Sequence, residues 1–224
     1  VDIERSAKTI YQLRELRIPS WLYPDFLFLE AEFLKAQKKP KLAEEKIKEL
    51  WINFPTSEPA QKITPPKLSP EQKLVRIKKL LAQKEFIKAQ KELEELRSVI
   101  GRKDRALLSK IYGLLAQAYF MAKNYQKVVE LEKFGKKYAS KEARFWVYLA
   151  WAYHRLDKEK KAEKIYLKFL KELKKSPFAP QAVYHLARMN QLNGQFAKAI
   201  RYYQALLKRW QKNPYAEKAM LQMG

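Results

Sequence analysis

Residues 148–169, "YLAWAYHRLDKEKKAEKIYLKF", decide the fold, because the chain repeats their pattern on either side. Against 114–134, "LLAQAYFMAKNYQKVVELEKF", Leu149 falls on Leu115, Ala150 on Ala116, Tyr153 on Tyr119 and Ala162 on Val128, every pair 34 residues apart. Against 185–206, "HLARMNQLNGQFAKAIRYYQAL", Leu149 falls on Leu186, Ala150 on Ala187, Ala162 on Ala199 and Tyr166 on Tyr203, every pair 37 apart. A fixed internal period marks stacked units, each burying its apolar face only against its neighbours. Within one unit Trp146, Leu149, Ala150 and Tyr153 recur at i, i+3, i+4 and i+7, which is one stripe of a helix. The expected repeat core is therefore Leu115, Ala116, Tyr119, Trp146, Leu149, Ala150, Tyr153, Ala162, Tyr166, Leu186, Ala187, Ala199 and Tyr203.

Composition agrees with helices. The 224 residues are 47% hydrophobic and hold only 5 Gly, so the chain has ample apolar surface and few breakers. No uninterrupted apolar run is long enough for a transmembrane helix, and the opening "VDIERSAKTIYQL" reads as an amphipathic helix rather than a signal peptide. There is no Cys, which removes thiol nucleophiles, disulfides and thiolate metal sites together. The two histidines, His154 and His185, are 31 residues apart, so neither a metal nor another cofactor is expected. The net charge of +23 attracts polyanions such as nucleic acid, anionic lipid or acidic wall polymer. The lysines are spread along solvent-facing helical positions, however, which is equally the pattern of a solubilised helical surface and makes nucleic acid the less favoured partner.

The first sixty residues read as N-terminal helices with one irregular hairpin (25–55, Ala31 and Ala43 in phase), and 61–70 as a Pro-rich connection. Ser69 is the expected N-cap of the next helix, with Pro70 at its first position and Gln72 at its third. From 71 to 224 helical hairpins follow one another, including a weaker unit at 73–97 with Phe86 and Ala89 in phase. The chain ends on "NPYAEKAMLQMG", which reads as the first helix of a further unit, so the natural protein is expected to continue.

The sequence Leu-Ala, an aromatic three residues on, a turn, then Ala-x-x-x-Tyr resembles the tetratricopeptide repeat. That resemblance implies an all-α, right-handed superhelix of antiparallel helical hairpins, about five to six here. "LWINFPTSEPA" (50–60), "LSPEQKLVRIKKLLAQKEFIKAQKEL" (68–93) and "ARFWVYLAWAYHRLDKEKKAEKIYLKFL" (143–170) are also similar to the helical N-terminal region of soluble lytic transglycosylases. The family's catalytic Glu-Ser, Gly-Leu-Met-Gln and Asn-containing motifs are absent. The resemblance therefore implies a non-catalytic scaffold in the bacterial envelope or periplasm, beside peptidoglycan, with cleavage carried by a separate domain. The alternatives are a protein–protein adaptor of the outer-membrane-assembly lipoprotein or periplasmic coupling-factor type, a polyanion-binding repeat protein, and a cytoplasmic location.

No Gly-rich phosphate loop, HExxH or GxSxG occurs, and adjacent acids such as Glu44 and Glu45 point about 100° apart on a helix and cannot share a proton. What remains is a groove. The first helix of each hairpin lines the concave side of such a stack. The residues beside the core stripe are Lys110, Gln117 and Phe120 in one unit, Arg144, Val147, Trp151, His154 and Arg155 in the next, and Tyr184, Arg188 and Gln191 in the third. Arginine forks and aromatic faces there suit an extended acidic peptide or a glycan. His185, just before the Leu186-Ala187 pair, reads as a packing or surface residue.

Overall fold

Five turns set the architecture. In each, one residue adopts the left-handed conformation: Lys38 (φ 58°), Lys84 (63°), Lys123 (61°), Asp157 (55°) and Gly194 (72°). The same two hydrogen bonds close every turn. The N–H of the left-handed residue donates to the carbonyl three residues back, on Lys35, Leu81, Phe120, His154 and Gln191. The next N–H donates to the carbonyl five back, on Leu34, Leu80, Tyr119, Tyr153 and Asn190. This satisfies the last carbonyls of one helix and reverses the chain into the next. Five residues beyond each left-handed residue stands a small buried side chain, Ala43, Ala89, Val128, Ala162 or Ala199, where the two helices cross.

The computed structural model describes residues 18–101 and 104–223; the helix expected at the N-terminus lies outside these. Among them the chain forms thirteen helices and no strand: α1 (Tyr23–Ala36), α2 (Pro40–Asn53), α3 (Glu58–Lys62), α4 (Pro70–Ala82), α5 (Phe86–Ile100), α6 (Arg105–Met121), α7 (Tyr125–Glu130), α8 (Glu132–Tyr138), α9 (Ala143–Arg155), α10 (Glu159–Lys171), α11 (Ala179–Leu192), α12 (Phe196–Arg209) and α13 (Pro214–Met223). The hairpins are α1/α2, α4/α5, α6 with α7–α8, α9/α10 and α11/α12. This is an all-α array of tetratricopeptide-like form. None of these helices is long and apolar enough to cross a membrane. The chain divides into two compact units between Leu96 and Arg97, within α5.

In the first unit Leu27, Leu50 and Ala60 form a core ringed by Tyr23, Phe28, Trp51, Phe54 and Ile63. Residues 64–69 carry no regular structure, and the capping box then restarts the helix as expected. Ser69 Oγ accepts from Gln72 N at 3.2 Å, and Ser69 N donates to Gln72 Oε1 at 2.9 Å. Arg76 is buried. Its guanidinium lies 3.9 Å from the centre of the Trp51 ring, donates to the Trp51 carbonyl, and reaches Glu92 Oε1 at 2.9 Å. One side chain thus ties α2, α4 and α5 together. Glu30, also buried, faces the Lys46 ammonium at 3.2 Å.

In the second unit α6 packs against α9, and α11 against α13, with the second helices of the hairpins alongside. The expected repeat core is buried except at Tyr119, which is half-buried at the last turn of α6. Val147, expected to face the groove, is fully buried because the facing helix closes over it. Phe145 docks where Gly135 leaves room: a Cβ on Gly135 would stand 2.0 Å from the Phe145 ring.

Candidate functional site

The repeat places the candidate side chains at equivalent positions on successive first helices. Lys110 corresponds to Arg144, Gln117 to Trp151 and Arg188, and Phe120 to His154. The structure joins most of them. Arg144 Nη1, on α9, donates to Gln117 Oε1, on α6, at 2.9 Å, and its guanidinium lies 5.9 Å from the Phe178 ring. Phe120 meets Trp151 at 5.6 Å between ring centres. Trp151 meets His185 edge-on at 5.7 Å, His185 meets Tyr184 at 5.9 Å, and Tyr184 meets Tyr215 of α13 at 5.5 Å. An aromatic belt thus crosses α6, α9, α11 and α13, with Tyr125 and Tyr148 packed on Phe120. Arg188 Nη1 donates to Gln222 Oε1 of α13 at 3.0 Å. Lys110 and Arg155 are exposed, and Lys110 adds no contact to the belt.

The polar atoms are the telling part. Trp151 Nε1, His154 Nδ1 and Tyr166 Oη are buried without a hydrogen-bond partner. A buried polar atom left unpaired costs about 1–3 kcal/mol; Trp151 Nε1 and Tyr166 Oη are donors, while His154 Nδ1 donates only in the tautomer that carries its proton there. Trp151 and Tyr166 both pack on the His185 ring, Tyr166 stacked at 6.5 Å. The Tyr166 hydroxyl is held strongly in its neutral form by burial. The His185 imidazole is pushed down to about 4, first by burial and then by the positive fields of His154, Arg188, Arg155 and Lys218. Every charge acting on it is cationic. The arrangement offers N–H and O–H donors in a poorly solvated, positively biased setting, which suits a carbonyl or carboxylate oxygen.

His185 is a packing residue, one of the two expectations for it, and its partners are Trp151, Tyr166 and Tyr184, which the sequence did not connect. The 37-residue offset carries the missed signal: His185 occupies the position of Tyr148, itself 5.0 Å from Trp151. Tyr166 belongs to the core as expected, but its hydroxyl end also belongs to this site.

No protein-family model matches the chain, and no curated protein does. Among solved structures it is similar to the C-terminal part of a TPR repeat-containing protein from Cytophaga hutchinsonii, at 15% identity and a TM-score of 0.41 over 96% of this chain and 95% of that one. The five recurring turns, rather than that likeness, establish the helical repeat.

Proposed function

We propose that the chain is a non-catalytic docking scaffold whose second unit receives an extended, acidic peptide segment of a partner protein across α6, α9, α11 and α13. The observation that carries this is the pair of unpartnered buried donors, Trp151 Nε1 and Tyr166 Oη, on two rings that both pack against His185. A carboxylate or main-chain carbonyl there satisfies donors that the fold leaves open, within the field of Arg155 and Arg188. Selection from a displayed library of extended peptides tests it. Acidic peptides are expected to enrich, and the Trp151→Phe/Tyr166→Phe pair, which keeps the rings and removes both donors, is expected to weaken the selected peptide about tenfold or more. Unchanged affinity in that pair would remove the site.

In finer form, we place this scaffold in the bacterial envelope, as the helical region of a protein of the soluble lytic transglycosylase kind. The support is the likeness of 50–60, 68–93 and 143–170 to that family's motifs. Trp51, Ser57 and Ser69 within those motifs also have structural work here, as the partner of Arg76 and as two helix caps. Co-sedimentation with purified peptidoglycan separates the settings. Retention on the glycan supports the envelope enzyme, and peptide capture with no retention leaves the adaptor.

A further inference from the structure

A second feature lies on the other helices of the same unit. In α10, "EKKAEKIYLKFLK", Ala162, Ile165, Tyr166 and Phe169 are buried, and the opposite stripe is Lys161, Lys164, Lys168 and Lys171. That stripe does not simply face water. With Glu132 and Lys136 of α8, and with Trp146 and Tyr153 rising from α9, it borders a groove of about 690 Å³. The Lys168 ammonium sits 3.9 Å from the centre of the Trp146 ring and donates to the Ser140 carbonyl at 3.1 Å. Lys161 lies 5.2 Å from the Tyr153 ring.

The charges in this groove do not balance. Glu132 is occupied: it accepts from the Tyr153 hydroxyl and pairs with Lys136 at 3.0 Å. Glu172 reaches only Lys168, at 3.7 Å, and is mostly exposed. Among the described residues, Lys161, Lys164 and Lys171 have no carboxylate within ion-pair distance. The accessible floor is Leu167 with the methylene stems of the lysines, because Ile165, Trp146 and Tyr153 lie buried beneath them.

We propose that this α8–α10 groove is a second docking site, for an acidic peptide that alternates carboxylates with apolar side chains. The carboxylates pair with Lys161, Lys164 and Lys171, and the apolar residues cover the floor. Nucleic acid suits the groove poorly. Trp146 and Tyr153 are 5% and 1% exposed, so neither offers a free face for a base to stack on. The cations are all lysines, without the planar fork that grips phosphate in two places, and Glu132 and Glu172 oppose a continuous phosphate track. The site stands apart from the belt around His185, so either can fail without the other.

Fluorescence anisotropy decides it, using a labelled Glu/Leu-alternating peptide, an all-Glu peptide of equal charge and a single-stranded oligonucleotide. The alternating peptide is expected to bind tightest. Lys164→Glu/Lys171→Glu, two exposed positions, is expected to weaken it at least about tenfold, whereas Lys78→Glu/Lys79→Glu on α4 makes the same charge change and leaves it unaltered. Equal weakening by the two pairs reduces the effect to net charge and overturns the site. Equal binding of the all-Glu peptide removes the role of the floor, and tighter binding of the oligonucleotide replaces the peptide; either result overturns the proposal as well.

Discussion

In the first unit Arg76 is buried against Trp51 with Glu92 on its Nε, and Glu30 is buried facing Lys46. In the second unit Trp151, His154 and Tyr166 each bury a polar atom with nothing bonded to it. The first arrangement closes on itself and locks helices in register. The second keeps hydrogen-bonding capacity in reserve. A fold that can pair a buried guanidinium three ways does not lack the means to satisfy a hydroxyl, and the proposed docking role of the second unit rests on that difference.

The largest test of that contrast is Arg76→Ala. It leaves Glu92 without its partner and opens space beside Trp51, and the expected cost is about 3–5 kcal/mol. Chemical denaturation measures it, and Arg76→Met/Glu92→Met should recover most of the loss. A near-neutral Arg76→Ala would erase the distinction between the units.

Acid is the next probe. His185 in the folded chain holds its proton only below about 4, whereas an unfolded histidine does so below about 6.5. Between these values the unfolded state binds more protons, so stability falls as pH falls, and the full loss of about 3 kcal/mol is reached only below about pH 4. His185→Phe should flatten that part of the stability–pH curve. A persistent slope would assign it to other groups.

Tyr166→Phe runs the other way. Removing a hydroxyl that has no partner should raise stability by about 1 kcal/mol, while weakening a docked acidic peptide. A destabilised Tyr166→Phe protein would show that the hydroxyl is bonded and move Tyr166 to the class of Arg76. The smallest effect is expected at the turns. Lys84→Gly relieves a left-handed lysine and should add about 0.5–1 kcal/mol, net of the extra freedom that glycine has when unfolded. An unchanged melting temperature would mean that this turn carries no strain.

The helical hairpins were legible because their cause is local. The 34- and 37-residue offsets, the spacing of Trp146, Leu149, Ala150 and Tyr153, and the Ser69–Gln72 box each lie within a short span. The turns at 38, 84 and 123 were harder, since each has lysine where glycine or asparagine usually announces a left-handed residue. Gly135 as the socket for Phe145 depends on two helices meeting, which no single helix pattern encodes. The belt residues Trp151, Tyr184 and Arg188 followed from helical phase, but His185 took its importance from Tyr166 on a neighbouring helix. The α8–α10 groove was read as ordinary solvated lysine, because the rings beneath its lysines come from the far side of α9.

The left-handed residues of the five turns are 46, 39, 34 and 37 positions apart, yet the turns they close are the same. The variation in repeat length is therefore taken up in the connections between hairpins, at stretches such as 64–69, and in helix length, since α6 has 17 residues where α9 has 13, and none of it at the five turns. A loop that doubles there costs only about 0.6 kcal/mol in closure entropy, whereas one residue added to a turn breaks both of its hydrogen bonds. The molecule thus separates parts that must be copied faithfully from parts that can be lengthened freely. A tag, a protease site or a whole inserted domain belongs in the second kind.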